Sequence, residues 1–356
     1  MVGDADASTG RVAQLDGLRG LAVFLVLASH ASNAGIDLAP GLRAGGLGRP
    51  GVFLFFVLSS FLLSGPLFAR ERAGLGIHWG RFALRRILRV MPAYVFALGC
   101  HVAVGVMEPR PALEHVALVR AEHHFWTIPV EILFYAALPI VVFALRCVQG
   151  TRSQLMALGL MVVGASFAFE PDFRSGPPRY APTVLPFLPI FLVGSMLALF
   201  AALPTGVRSQ RAAPWLGGAA LAALVLTTPS VWALLSGAAV PHTRFHLWFV
   251  PFALLWAAVL FAALQRGSWM GAAASWGPLR GLGQISYSVY LFHGLMLGLV
   301  VERGAGLGVA PWLRGPLFLG LACLAGAASY MLVERPFLGL LSQTSTETSS
   351  TGAKSQ

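Results

Sequence analysis

Ten long apolar runs dominate this chain, and they leave few folds open to it. They fall near residues 18–35, 51–69, 87–106, 125–145, 154–169, 183–203, 213–228, 246–265, 283–301 and 315–334. A membrane-crossing helix needs roughly 20 mostly apolar residues, so the fifth and seventh runs are short. The runs are continuous rather than alternating. That pattern excludes a β-barrel and leaves helices, the other structure able to satisfy its backbone polar groups inside lipid. Of the 356 residues, 56% are hydrophobic and only 11% are charged, whereas a soluble domain carries about 25% charged residues. The prediction is an all-α, polytopic membrane helix bundle of about ten transmembrane helices.

The formal net charge is +11. The basic residues sit between apolar runs and form no stripe on a soluble domain, so the lipid bilayer is the expected partner and nucleic acid is not. Sixteen of the 25 basic residues fall in one set of alternate connections, including Arg70, Arg72, Arg81, Arg85, Arg86 and Arg89; nine fall in the other. This imbalance predicts that both termini are cytoplasmic, in a multi-pass protein of the cell membrane, a bacterial inner membrane. Residues 1–14 read as a cytoplasmic segment, 15–341 as the membrane domain, and 342–356, rich in Ser, Thr and Gly, as a disordered tail. Asp4 and Asp6 stand where a signal peptide would be basic, so no cleaved leader is expected. Cys100, Cys147 and Cys323 lack metal-ligand spacing and read as small packing residues.

A titratable side chain within a membrane span is costly and marks function by default. His30, Glu131 and His293 are such residues, and three of them in one bundle point to a shared polar cavity. Arg19 and His30 are eleven residues apart, about three helical turns, which sets them on nearly the same face roughly 16 Å apart along the axis. That stripe suits an anionic substrate approaching from the cytoplasm. Arg85, Arg86 and Arg89 open the third run on the same side. Their spacing serves either to anchor a helix end at the headgroups or to grip phosphates through forked guanidinium contacts.

At these residues the sequence resembles a known family. LDGLRGLAVFLVLASH, from Leu15 to His30, is similar to the opening signature of the acyltransferase 3 family, an arginine followed eleven residues later by histidine. GVFLFFVLSSFLLSG resembles the family's second helix, RRILRVMPAY its arginine-rich element, and FWTIPVEILFY the motif carrying Glu131. GQISYSVYLFH, ending on His293, and ERPF complete a series that runs in order along nearly the whole chain. Two departures stand out: Ser60 replaces a usual glycine, and Ile132 and Leu133 follow Glu131 where a second acid and a glutamine are common. Many relatives also carry a C-terminal esterase-like domain; this sequence does not, so a stand-alone enzyme is expected.

The resemblance implies a membrane O-acyltransferase that moves an acetyl or other short acyl group from acyl-CoA to a hydroxyl. The acceptor would be sugar-containing, a surface glycan or a glycosylated natural product. Acetyl-CoA would be the donor substrate, with no permanently bound cofactor and no metal. His30 is the candidate general base. Glu131 would orient His30 or bind acceptor hydroxyls, and His293 would donate to the oxyanion. Arg19, Arg85, Arg86 and Arg89 would contact the CoA phosphates. The rival reading is a proton-coupled transporter using the same buried His and Glu groups; no internal repeat supports it.

Overall fold

The computed structural model describes residues 5–6, 11–38, 44–120, 122–168, 183–203, 212–237, 249–304 and 306–339. The tail 342–356 and most of the segment 1–14 lie outside the described residues. A two-residue ladder pairs Ala5 with Val12 and Asp6 with Arg11; among the described residues the remaining regular structure is helical. In chain order the helices are α1 (Ala13–Asn33), α2 (Gly48–Arg72), α3 (Trp79–Ala103), α4 (Pro109–Val116), α5 (Thr127–Arg146), α6 (Thr151–Ala168), α7 (Leu188–Ala201), α8 (Ala213–Leu226), α9 (Pro229–Ser236), α10 (Phe249–Ala263), α11 (Trp269–Ala274), α12 (Gly277–Gln284), α13 (Ser286–Gly304) and α14 (Pro311–Ser329).

Each of the ten apolar runs coincides with a helix, and the chain is a multi-pass membrane protein. Among the described residues, five helical stretches are long and apolar enough to cross a bilayer: Ala13–Asn33, Gly48–Arg72, Trp79–Ala103, His123–Arg146 and Pro311–Gly339. A sixth is gained if α12 and α13, which meet at 80°, form one broken span. The ten expected crossings thus reduce to five or six of full length. Part of the shortfall has a geometric cause. α7 and α8 are 14 residues each, about 21 Å of helix, against a hydrocarbon core of about 30 Å.

Many helix faces turn large apolar side chains outward, among them Phe167, Leu234 and Leu324. In water such surface would promote association; against lipid it has no such cost. The interior is held by aromatic contacts. Phe191 of α7 stacks on Phe134 of α5 at 4.1 Å and on Phe56 of α2 at 4.5 Å, so one ring ties three helices together. Inter-helix hydrogen bonding adds to this at Ser64 and Ser195, whose hydroxyls are 2.7 Å apart. The departure at Ser60 is absorbed here: its hydroxyl bonds the Val57 carbonyl and occupies the room left by Gly194.

Small residues bring α1 against α12. A Cβ on Gly20 would strike the Leu279 carbonyl, and one on Gly283 would strike the Asp16 carbonyl. This backbone-on-backbone approach fixes the base of α1, where Arg19 pairs with Asp16 at 3.4 Å. It also fixes where α13 begins. Past α14 the chain widens into a π turn, Tyr330–Glu334, and buried Glu334 accepts a bond from the Ser288 hydroxyl at 3.0 Å.

Candidate active site

α1 and α13 bring two of the sequence-selected residues into direct contact. His30 Nδ1 and His293 Nε2 are 2.6 Å apart, with ring planes only 2° from parallel. His293 Nδ1 lies 2.6 Å from the carbonyl of Tyr290, one turn back on its own helix. A carbonyl only accepts, so His293 carries its proton on Nδ1 and presents a bare Nε2. His30 must then donate through Nδ1, which leaves His30 Nε2 with a free lone pair. The tautomer of the half-buried ring is therefore set by a backbone carbonyl through an intervening imidazole, the role a carboxylate plays in hydrolase triads.

Glu131 stands apart from this pair. Its Oε1 accepts from the Ser59 hydroxyl at 2.6 Å and from the Tyr135 hydroxyl at 2.7 Å. The structure thus places Glu131 against Ser59 and Tyr135 rather than against His30. His293 has both ring nitrogens engaged, one at His30 and one at the Tyr290 carbonyl. Two waiting hydroxyls explain how one carboxylate is tolerated in the bundle without the second acid common in similar sequences.

A cavity of about 360 Å³ opens beside Glu131. Arg19, Arg86 and Arg89 line it, as do Ser59, Thr127, Tyr135, Tyr287 and Tyr290. Arg85 is not among the lining residues. Arg86, Arg89 and Val90 share one face of α3 by their i, i+3 and i, i+4 spacing, and that face is the one turned to the cavity. The charge inside is two-signed, three guanidiniums against one carboxylate, in a volume fit for part of a ligand with anionic groups.

Tyr290 joins the two halves. Its side chain lines the cavity, its backbone carbonyl holds His293, and its hydroxyl accepts from Thr127 at 3.0 Å and donates to the His124 carbonyl at 2.5 Å. His30 and His293 do not line the cavity; the His293 ring lies beside that of Tyr290, centroids 5.5 Å apart. Sequence reasoning missed Tyr290, Ser59 and His124. Tyr135, four residues after Glu131, carried a legible signal because i and i+4 side chains meet on a helix.

A further set of histidines gathers at this end of the bundle. The rings of His101, His115 and His124 all pack on buried Phe125, and the Tyr94 hydroxyl lies 3.2 Å from His115 Nδ1. Among the described residues no three His, Cys, Asp or Glu side chains are placed to hold a metal ion. Outside the membrane-spanning helices, Arg120 donates to Glu114 and to Glu122 at 2.6 Å each, and these bonds hold both carboxyls below their ordinary range.

Comparison with known proteins adds a family to this geometry. The sequence matches the model of a family described as an acyltransferase domain over residues 12–333. It is 28% identical to the exopolysaccharide production protein ExoZ of Rhizobium meliloti (strain 1021), across 82% of this chain and 90% of that protein. It is 25% identical to the putative peptidoglycan O-acetyltransferase YrhL of Bacillus subtilis (strain 168), across 90% of this chain and 54% of that protein. No solved structure matches it.

Proposed function

This chain belongs to the acyltransferase 3 family, and we propose that it moves an acetyl group from acetyl-CoA to a hydroxyl of a polysaccharide sugar. The names of its relatives, an exopolysaccharide production protein and a putative peptidoglycan O-acetyltransferase, favour a polysaccharide over a small glycosylated product. The basic cavity favours an anionic donor, with Arg19, Arg86 and Arg89 meeting its phosphates. Both termini then face the cytoplasm, and the ten helical runs form the bundle around the site.

The observation that carries the reading is the bonded series His30, His293 and Tyr290 carbonyl, which leaves one imidazole nitrogen bare. A sugar hydroxyl is a weak nucleophile until a base takes its proton during attack. His30 Nε2 accepts that proton as the hydroxyl oxygen bonds to the thioester carbonyl carbon. The tetrahedral intermediate collapses by breaking the carbon–sulfur bond, and the departing CoA thiolate takes up the proton from the imidazolium. The products are the O-acetyl ester and free CoA thiol. The positive charge that builds on His30 is shared with His293, whose Nε2 lone pair faces it.

The test is transfer of radiolabelled acetyl from acetyl-CoA to chemically de-O-acetylated exopolysaccharide by the reconstituted protein. Label should reach the polysaccharide with the parent protein and fail to do so with His30→Gln. Undiminished transfer by that variant removes the proposed base; consumption of acetyl-CoA with no label on polysaccharide or on peptidoglycan fragments removes the proposed acceptor.

A further inference from the structure

The 3-10 turn His123–Trp126, just ahead of α5, grips α13 at three successive points around His293. Tyr290 donates its hydroxyl proton to the His124 carbonyl at 2.5 Å. His124 Nε2 lies 3.1 Å from the Leu291 carbonyl and must be the donor there. The His124 ring crosses the His293 ring at 63°, with centroids 4.7 Å apart. Space for this comes from Gly294, where an added Cβ would sit 2.6 Å from His124 Cε1. The backbone bends for it as well: His123 has φ 49°, a left-handed conformation unusual for a residue with a side chain.

We propose that His124 is a positioning residue of acyl transfer, clamping the 290–294 turn of α13 so that His293 stays aimed at His30. The bonds at Tyr290 and Leu291 hold the carbonyl that fixes the His293 proton on Nδ1, and the ring itself blocks rotation of the His293 imidazole on one side. His124 passes no proton, because its own N–H is committed to Leu291. The inference rests on the proposed role of His30 as base and adds to it the part that keeps the base in its tautomer.

The experiment measures kcat and KM for acetyl-CoA, with whichever acceptor the parent acetylates, in His30→Gln, His124→Ala, His124→Gln, Gly294→Ala and the His124→Ala, Gly294→Ala double variant. His124→Ala should lower kcat about 100-fold, the scale of a small misplacement of a reacting group, and leave KM unchanged. The glutamine amide reaches about as far as the imidazole Nε2, so His124→Gln should recover most of the rate. Gly294→Ala should lower kcat too, and the double variant should be no slower than His124→Ala alone, because the methyl enters the room the ring vacates. Parent-like kcat in both His124→Ala and Gly294→Ala, with His30→Gln inactive, overturns the clamp and leaves the base standing. Turnover by His30→Gln removes the base, and the clamp with it. If His124→Ala fails to elute as a folded species, His124→Gln and Gly294→Ala decide the matter by the same rates.

Discussion

His30 Nδ1 meets His293 Nε2 at 2.6 Å across 263 positions of sequence. Only one proton fits between two such nitrogens, and the Tyr290 carbonyl decides that His30 supplies it. One imidazole becomes the orienting partner of the other. The consequences can be measured.

Removing the base should cost more than removing its partner. His30→Gln is expected to lower kcat about 100- to 10,000-fold, the usual contribution of a general base. His293→Ala leaves the base present but free to turn, and a loss of about 100-fold is expected, in line with small misplacements of reacting groups. Steady-state acetyl transfer reads both. A smaller loss in His30→Gln than in His293→Ala would reverse the assignment.

The arginines of α3 should separate by side. Arg86 and Arg89 line the cavity, and losing a hydrogen bond from a charged group costs about 1.5–3 kcal/mol. Arg86→Gln and Arg89→Gln are each expected to raise KM for acetyl-CoA by about 10-fold or more, with little change in kcat. Arg85→Gln, off the cavity, should stay within about threefold of the parent. Equal effects at all three positions would point to helix anchoring at the membrane surface instead.

Glu131 offers a test of charge alone. Glutamine keeps an oxygen for the Ser59 and Tyr135 hydroxyls while removing the one negative charge among the cavity residues. Glu131→Gln should therefore bind CoA more tightly, by about fivefold for roughly 1 kcal/mol of relieved repulsion, read by calorimetry in detergent. Glu131→Ala strands both hydroxyls and should also unfold earlier, by about 1–3 kcal/mol. Weaker CoA binding in Glu131→Gln would show the carboxylate to be a donor contact.

Outside the spans, His115 should make stability depend on pH. Burial pushes its imidazole down to about 4, against the opposing pull of Glu122 and Glu114. The unfolded chain protonates this ring near 6.5 and the folded chain only near 4, so the unfolded state binds more protons between them. The stabilisation is complete above about 6.5, declines as pH falls toward 4, and changes no further below. His115→Asn should flatten that part of the curve of melting temperature against pH. Parent and variant with the same slope would show that the dependence arises elsewhere.

The sequence by itself determined the solvent and the architecture. Runs such as 51–69 exclude water as surroundings and strands as structure, and hydrocarbon admits few alternatives. It also determined which groups are too polar to lie in lipid without purpose: His30, Glu131, His293 and the arginines of α3. The meeting of Glu131 with Tyr135 was legible too, because i, i+4 neighbours meet on any helix.

Only the tertiary structure decided which polar group serves which. Hydropathy records how apolar a run is and carries nothing about its rotation, so it could not pair His30 with His293, turn Arg86 inward and leave Arg85 aside, or separate Glu131 from the two histidines. Nor could it find His124, which reaches His293 through one left-handed residue and one absent methyl, at Gly294. Helix length likewise came only from the structure, where five or six of the described helical stretches are long and apolar enough to cross a bilayer. Contacts between distant helices depend on the packing of all of them at once, and no local pattern encodes that.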